Sequence, residues 1–362
     1  MRLGVEAALV DGRLVPGDVE IVDGAISRLG IDGSRGRGIA SPGFVDLQVN
    51  GFAGVDFASA DAAGYRRAGD ALLETGVTSY LPTLITAPEE ALASALSEIP
   101  TDGAVPRVLG AHVEGPFLAP TRLGTHPPAG RCDPDPELMD RLLAAGRVRL
   151  VTLAPERPGA LELIELLHAR GITVSCGHTE ATAEEADAAF DHGVCTVTHL
   201  FNAMRPFRHR DPGIAGAALA RDDVVVQLIV DGYHVAPATV RIVWRAAAGR
   251  VALVTDAMAG AGMGDGRYRL GGVEVEVREG RASRADDVLA GSVMTMLDGV
   301  RNLHALGVPL AGALEAATAV PARVLGGGFG RLEPGAAADV LVLDDNLEVV
   351  RVLVAGETRV AA

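Results

Sequence analysis

The sequence lacks a long hydrophobic run, a basic stripe and a secretion signal. No run of about 20 apolar residues is present, so we expect no membrane-spanning helix and no membrane partner. The formal net charge is −15 and no cluster of Lys and Arg offsets it, so we expect no nucleic-acid partner. The N-terminal stretch MRLGVEAALVDGRL has neither a long apolar core nor a small-residue cleavage site, so no signal peptide is expected.

Cysteine and aromatic residues are also scarce. The three cysteines, Cys132, Cys176 and Cys195, are odd in number and show no CxxC spacing. This usage favours a reducing cytoplasm over a disulfide framework. Cys176 and Cys195 precede candidate site residues, but small core filling is the expected role. Aromatic residues make up only 4% of the chain, and the abundance of Ala, Gly and Val indicates a well-packed globular protein.

The two ends of the chain share one pattern. Residues 1–41 and 329–362 hold short alternating apolar runs broken by glycine, which is typical of short, mainly antiparallel strands. Each segment is too short to bury a core alone. We therefore expect the two ends to join in one small β-sandwich domain; two separate β arms are the alternative.

Between the ends, over residues 42–328, apolar strand-like runs alternate with helix-like stretches. Eight such runs occur, at 44–50, 77–83, 107–115, 148–156, 172–180, 195–202, 224–232 and 251–257. The clearest helical stretches are 136–146, 160–171 and 182–193. Eight strands alternating with helices predict an α/β fold, a (β/α)8 TIM barrel, with its chemistry at the carboxyl ends of the strands.

Polar and ionisable residues lie where those strand ends are expected. They are Gln48, Asn50, Thr83, Glu114, Glu156, His178, His199, Asp231, His234 and Asp256. Polar residues end many strands, but a set this rich in His, Asp and Glu indicates a functional site at one face of the barrel.

Three of these residues form a candidate metal site. Glu114, His178 and His199 come from strands three, five and six, and they supply one carboxylate and two imidazoles. Three protein ligands with room for a water are typical of catalytic zinc, which makes hydroxide available near neutral pH. The alternative is that the histidines are buried for structural reasons and bond to the backbone. That role would account for a single histidine, but not for two histidines and a glutamate that all lie at strand ends.

Asp256 is the candidate proton-transfer residue. It ends strand eight in LVTDAMAG, where a carboxylate next to the metal can accept a proton from water and pass it to a leaving nitrogen. The alternative is a helix N-cap, but AMAGAGMGDG is a poor helix start.

Further polar residues are candidate substrate contacts: His126, Asn202, Arg210 and His234. The planar guanidinium of Arg210 suits a phosphate, whereas Arg205 and Arg208 are expected to be solvated surface residues. The loop 289–296, LAGSVMTM, either offers backbone N–H groups to a ligand or is a plain helix start capped by Ser292.

Seven motifs in chain order resemble one family. They are PGFVDLQVNG (42–51), HVEGPFLAPTRLGTHPP (112–128), CGHTEAT (176–182), THLFNAMRPFRHRDPG (198–213), VDGYHV (230–235), LVTDAMAG (253–260) and LAGS (289–292). Together they resemble the N-acetylglucosamine-6-phosphate deacetylases of the amidohydrolase superfamily, over nearly the whole chain.

The resemblance implies a metal-dependent barrel with a β-sandwich built from both termini. It implies that Glu114, His178 and His199 bind the metal, and that Asp256 is the catalytic acid/base. His126 is expected next to the acetyl carbonyl as a second catalytic residue. The substrate-binding residues implied are Gln48, Asn50, Thr125, His126, Asn202, Ala203, Arg210, Asp231, His234, Leu289, Ala290 and Gly291. A homodimer in which the partner subunit reaches the phosphate is also implied.

One departure from the wider superfamily concerns the metal. Many amidohydrolases carry HxH at the end of strand one, where this chain has Gln48 and Asn50. Amides are poor metal ligands next to imidazole, so we expect one divalent ion per subunit, zinc first, with Fe²⁺, Mn²⁺ or Co²⁺ as substitutes. The expected reaction is attack of metal-bound hydroxide on the N-acetyl group of N-acetylglucosamine 6-phosphate, giving glucosamine 6-phosphate and acetate.

Three alternatives stay open from the sequence. The substrate could be N-acetylgalactosamine 6-phosphate or an unphosphorylated N-acyl compound. A deaminase or cyclic amidase of the same superfamily is a second alternative, although the missing HxH and the lack of a bridging lysine disfavour dinuclear versions. The third is a catalytically silent sugar-phosphate sensor, against which the complete set of Glu114, His178, His199 and Asp256 speaks.

Overall fold

The computed structural model describes residues 1–32, 36–101 and 103–361. The N-terminal strands are β1 (Ala7–Val10), β2 (Arg13–Pro16), β3 (Asp18–Val22), β4 (Ala25–Ile31) and β5 (Ile39–Pro42). The chain then enters a long alternation of strands and helices that accounts for most of its length.

The alternating region places each barrel strand where an apolar run was expected. Its elements are β6 (Phe44–Val49), the short hairpin β7 (Gly51–Phe52) and β8 (Val55–Asp56), a 3-10 turn (Phe57–Ser59), α1 (Ala62–Glu74), β9 (Val77–Ile85), α2 (Glu89–Glu98), β10 (Arg107–Val108), β11 (Ala111–Glu114), α3 (Pro136–Ala145), β12 (Val148–Leu153), α4 (Ala160–Ala169), β13 (Thr173–Cys176), α5 (Ala183–Asp191), β14 (Thr196–Val197), α6 (Gly213–Ala220), β15 (Val225–Leu228), α7 (Pro237–Ala246) and β16 (Val251–Leu253). The three helices predicted from the pattern are confirmed to within a few residues.

The C-terminal part adds an insertion, three helices and the last strands. These are β17 (Gly266–Leu270), β18 (Val273–Arg278), β19 (Arg281–Ser283), α8 (Met296–Ala305), α9 (Leu310–Ala316), α10 (Ala319–Val324), β20 (Val340–Leu343), β21 (Val349–Val354) and β22 (Glu357–Ala361). Strands β17, β18 and β19 form a three-stranded antiparallel sheet that the sequence analysis did not predict.

The barrel prediction is confirmed by the strand order. β6 pairs with β9, and β9, β11, β12, β13, β14, β15 and β16 follow as parallel neighbours. A parallel bridge between Val49 and Ala257 joins the first and last strands. Nearly every residue of these strands is buried, because helices cover the outside of a parallel sheet.

The third predicted strand is divided in two. β10 ends at Val108 and β11 begins at Ala111, and Gly110 between them has φ +124°. A Cβ atom at Gly110 would lie 2.4 Å from Arg149 Cγ, so only glycine allows this close approach. The break separates β10 from β11, which ends at Glu114.

Both chain ends meet in one sheet, which excludes two separate arms. The order is β2-β1-β5-β20-β21-β22, in which β1 and β5 are parallel and the other pairs are antiparallel. The hairpin of β3 and β4 packs on this sheet through an apolar cluster shared by both termini, which includes Val5, Val19, Ile26, Val340 and Leu353. Neither terminus could bury this surface alone.

A buried polar network crosses the barrel interior. His112 bonds to Thr152 Oγ1 at 2.8 Å, and hydroxyl bonds of 2.8 Å and 2.6 Å continue through Thr198 to Ser175. Burial lowers the pKa of His112 to about 4, so this imidazole is neutral near pH 7. The network ties neighbouring strands together one residue before the candidate ligand His199.

None of the helices in the described ranges is long and apolar enough to cross a bilayer. The cytoplasmic location stays a prediction from cysteine usage.

Candidate active site

Three predicted ligands converge at the carboxyl face of the barrel. Glu114 is the last residue of β11, and His178 and His199 each follow their strand by two residues. Glu114 Oε1 lies 3.1 Å from His178 Nε2 and 2.9 Å from His199 Nε2, and the two nitrogens are 3.1 Å apart. All three side chains are buried. Among the described residues no other group of three His, Cys, Asp or Glu side chains converges in this way.

The chemistry of these three atoms fits a divalent cation. His178 Nδ1–H donates to the carbonyl of Arg122 at 2.8 Å, so His178 Nε2 presents a lone pair. Burial acts to raise the pKa of Glu114, but hydrogen bonds from the neighbouring histidines hold it well below its usual value. An ionised carboxylate and two imidazoles on one point suit a metal ion.

Backbone conformation aims the ligands inward. His178 has φ +51° and His199 has φ +28°, in the left-handed region that non-glycine residues rarely adopt. Asp256 has the same feature, with φ +49°. Such conformations persist only where surrounding contacts hold them, and they cluster at functional sites.

Asp256 lines the same pocket as the three ligands. Its Oδ1 accepts a hydrogen bond from Asn50 Nδ2 at 2.7 Å. Burial and the nearby Glu114 carboxylate raise the pKa of Asp256 to about 6. No helix starts at Asp256, because the chain continues through turns into β17, and the N-cap alternative is thereby excluded.

His126 completes the polar end of the pocket. Thr86 N–H donates to His126 Nδ1 at 3.2 Å, so the neutral ring carries its proton on Nε2, which lies 3.4 Å from Glu114 Oε2. Burial and the neighbouring His178 lower the pKa of His126 to about 4. The ring is therefore a neutral N–H donor that points into the site.

The pocket has a volume of about 240 Å³. Its lining includes the metal set, Asp256 and most predicted substrate contacts, namely Asn50, Thr125, His126, Asn202, Ala203, His234, Leu289 and Gly291. Thr125 Oγ1 donates to the carbonyl of Leu289 at 2.9 Å, which joins the loop after strand three to the LAGS loop.

Four predicted substrate contacts do not line the pocket. Gln48 and Ala290 are fully buried, and the amide atoms of Gln48 have no hydrogen-bond partner among the described residues. Asp231 lies behind His234, whose Nδ1 it holds at 2.7 Å. Arg210 is exposed, and the described part of the chain offers its side chain no hydrogen bond or ion pair. These four assignments stay predictions.

The positions of some other residues differ from what the sequence predicted. Ile85, Gly124, Leu270 and Val288 line the pocket and were not predicted; only Gly124 lay inside a quoted motif. Ser292 does not cap a helix, because Thr295 is the N-cap of α8 and Ser292 Oγ donates to the carbonyl of Thr255 at 2.5 Å.

Arg205 and Arg208 differ in their surroundings. Arg205 is half-buried and forms a bidentate pair with Asp211, whereas Arg208 is exposed as expected. The pairing of Arg205 shapes the loop that follows His199, and within the described residues the side chains of Arg208 and Arg210 in that loop have no hydrogen bond or ion pair.

The barrel, the terminal sheet and the Glu-His-His cluster define a class of enzyme. The sequence profile of the family described as "Amidohydrolase family" matches residues 39–359 of this chain. Because the match spans most of the chain, the chain belongs to the amidohydrolase family, and it is a hydrolase.

Comparisons with individual proteins point to one group of enzymes within this family. The N-acetylglucosamine-6-phosphate deacetylase of Homo sapiens is 42% identical over 341 residues, which cover 89% of this chain and 83% of the human chain. The N-acetylgalactosamine-6-phosphate deacetylase of Escherichia coli O157:H7 is 38% identical, with 89% and 88% covered. A mutant N-acetyl-D-glucosamine-6-phosphate deacetylase from Mycobacterium smegmatis, in complex with N-acetyl-D-glucosamine 6-phosphate, superposes with a TM-score of 0.92 at 38% identity, covering 99% and 98%. The resemblance stated from the motifs is confirmed.

Proposed function

We propose that this chain hydrolyses the N-acetyl group of N-acetylglucosamine 6-phosphate to glucosamine 6-phosphate and acetate. The observation that carries the proposal is the convergence of Glu114, His178, His199, His126 and Asp256 on one pocket. Relatives with this activity in their names support the choice of substrate.

Glu114, His178 and His199 would hold one divalent ion, which we propose is zinc. Fe²⁺, Mn²⁺ and Co²⁺ suit the same nitrogen and oxygen ligands. When bound, such an ion polarises a carbonyl oxygen and lowers the pKa of a coordinated water to about 7. Gln48 and Asn50 in place of two histidines support a single ion.

Asp256 would take the proton of the attacking water and deliver it to the departing nitrogen. Its raised pKa, about 6, suits a group that must both accept and return a proton near neutral pH. The hydrogen bond from Asn50 occupies Oδ1, which leaves Oδ2 for the proton.

His126 would donate its Nε2–H to the acetyl carbonyl oxygen. Charge develops on that oxygen as the tetrahedral intermediate forms, and a donor held in place by Thr86 costs no reorganisation. A pKa of about 4 keeps the ring from carrying a positive charge at neutral pH.

The phosphate requires a cation that the pocket does not supply. None of the residues that line the pocket is Lys or Arg. Arg210 is exposed and unpaired within the described residues, so we propose a homodimer in which the partner subunit brings its Arg210 to the phosphate. Asn202, Ala203 and His234 would contact the sugar and its 6-phosphate side, and Thr125 with residues 289–291 would close the acetyl side.

The test is acetate release by the purified protein from N-acetylglucosamine 6-phosphate. We expect release that stops on chelation and returns with added zinc. Absence of release from folded, zinc-loaded protein would overturn the proposal. Tight binding of the sugar phosphate without turnover would identify a sensor instead.

N-acetylgalactosamine 6-phosphate is the second candidate substrate, favoured by the relative from Escherichia coli O157:H7. Equal concentrations of the two sugar phosphates in the same assay decide between them by kcat/KM. Free N-acetylglucosamine serves as the control, and equal activity on it would remove the role of Arg210.

A further inference from the structure

Glu156 lies at the carboxyl end of the fourth barrel strand, three residues after β12, and it has no role in the proposed reaction. Both of its carboxylate oxygens are used. Thr179 Oγ1 donates to Oε2 at 2.5 Å, and the backbone N–H of Glu180 donates to Oε1 at 2.8 Å. Glu156 therefore holds the two residues that directly follow the candidate ligand His178.

The two hydrogen bonds of Glu156 are important because His178 has a left-handed backbone conformation. A non-glycine residue at φ +51° lies in the strained left-handed region, so neighbouring contacts must maintain it. Thr179 is fully buried, and its N–H also donates to the carbonyl of Ala203 at 3.1 Å. Glu156 fixes the side chain of Thr179 and the next peptide N–H, which leaves this segment little freedom to relax.

The same contacts reach the imidazole ring of His178. The side chain of Glu180 accepts hydrogen bonds from Arg122 Nε at 2.5 Å and from Thr121 Oγ1 at 3.2 Å. The carbonyl of Arg122 accepts the Nδ1–H of His178 at 2.8 Å. One connected set of bonds thus runs from Glu156 through Glu180 and Arg122 to the ring.

We propose that Glu156 is a positioning residue for the metal ligand His178. It does not line the pocket. It acts on His178 from two sides, by holding the backbone after it and by anchoring the loop whose carbonyl orients its ring. The inference rests on the metal centre of the proposed function, but not on the identity of the substrate.

The measurement is zinc affinity in competition with a chromophoric chelator. Loss of a direct outer partner of a metal-binding histidine typically weakens metal binding about 10- to 100-fold. Glu156 acts on His178 through Thr179 and Glu180, so we expect Glu156→Ala to weaken zinc binding about 10-fold, the lower end of that range. Glu74→Ala makes the same change at an exposed glutamate that ends α1, and it is expected to bind zinc as the wild type does.

Two further variants separate positioning from general damage. In Glu156→Gln the amide oxygen still accepts from Glu180 N–H and the amide nitrogen donates to the Thr179 hydroxyl, so zinc affinity should recover most of the loss. Thr179→Val removes one of the two bonds of Glu156, together with the bond that Thr179 Oγ1 accepts from Ala181 N–H at 2.9 Å, and should give an intermediate loss. The thermal midpoint of each metal-free variant shows whether the chain is folded. If Glu156→Ala does not fold, the zinc affinity of Thr179→Val tests the positioning role instead.

Unchanged zinc affinity in a folded Glu156→Ala or Thr179→Val variant would overturn the inference, as would an equal loss in Glu74→Ala. Wild-type protein that binds no zinc would overturn the metal centre and this inference together. Wild-type protein that binds zinc but releases no acetate would overturn only the proposed reaction.

Discussion

Asn50 donates its amide N–H to Asp256 at 2.7 Å, across the seam between the first and last barrel strands. The same seam is held by backbone bonds from Asn50 and Gly51 to the carbonyl of Ala257. One side of the Asp256 carboxylate is therefore fixed by a neutral donor, where the wider superfamily has a histidine at strand one. We therefore expect substitution of Asp256 to affect the chemical step, measured as kcat, more selectively than substitution of any other site residue.

Asp256→Asn should lower kcat about 10²- to 10⁴-fold, because an amide cannot carry the proton from water to the leaving nitrogen. Zinc content should stay at the wild-type level. The comparison is Asp70→Asn, an exposed change on α1, which should keep full activity. A folded, zinc-loaded Asp256→Asn enzyme with wild-type kcat would contradict the proton-transfer role.

His126→Ala should lower kcat about 10²- to 10³-fold, the usual effect of removing one donor to a developing oxyanion. KM should change less, because the donor is most important in the transition state. Steady-state kinetics with measured zinc content gives both values. An effect on KM alone would show that His126 only binds substrate.

Arg210→Ala should raise KM for the phosphorylated sugar about 10- to 100-fold, the cost of losing a charge-assisted hydrogen bond, and should leave any activity on the free sugar unchanged. A heterodimer of Arg210→Ala with Asp256→Asn tests where the arginine acts. If the partner supplies it, one site holds both native groups, and the heterodimer keeps about half of the wild-type kcat/KM. A heterodimer with about half the kcat/KM of the Arg210→Ala homodimer would show that Arg210 serves its own chain, and an unchanged KM in that homodimer would show that it serves no site.

Asp46 should make folding stability depend on pH. It is a fully buried residue of β6, and burial raises its pKa to about 7 although Thr255 N–H and Oγ1–H both donate to it. The pKa is raised above the unfolded value, so the stabilisation is complete below about pH 4 and is lost as the pH rises through 7. Between pH 5 and pH 8 the wild type should lose about 2–3 kcal/mol more stability than Asp46→Asn.

Denaturant unfolding of both proteins at the two pH values, in chelator to remove bound metal, checks the Asp46 prediction. Groups other than Asp46 and its neighbour Asp256 titrate alike in both proteins, so the difference reports mainly the Asp46 carboxyl. Identical pH dependence would show that Asp46 is ionised in the folded state throughout.

Much of the barrel could be predicted because its signals are local. Parallel strands that are buried on both faces read as continuous apolar runs, and helices begin and end at recognisable residues. The inserted sheet β17–β19 was missed, since its strands are short, alternating and partly exposed, and they interrupt the repeat of the barrel. The sequence also left open whether Ser292 caps a helix, and only its hydrogen bond to a carbonyl 37 residues away excludes that alternative.

The order of residues along the chain places Glu114, His178, His199 and Asp256 at the ends of barrel strands. The carboxyl ends of the strands of a parallel barrel lie on one face, so these four residues must share that face. How the four side chains are held depends on tertiary contacts. Two of these contacts are the hydrogen bonds from Thr179 to Glu156 and from Thr255 to Asp46. They join segments that are far apart in the chain, and the exposed position of Arg210 likewise depends on how such segments pack. Hydrogen bonds form within about 3.5 Å in space, and no local pattern of residues encodes such distances.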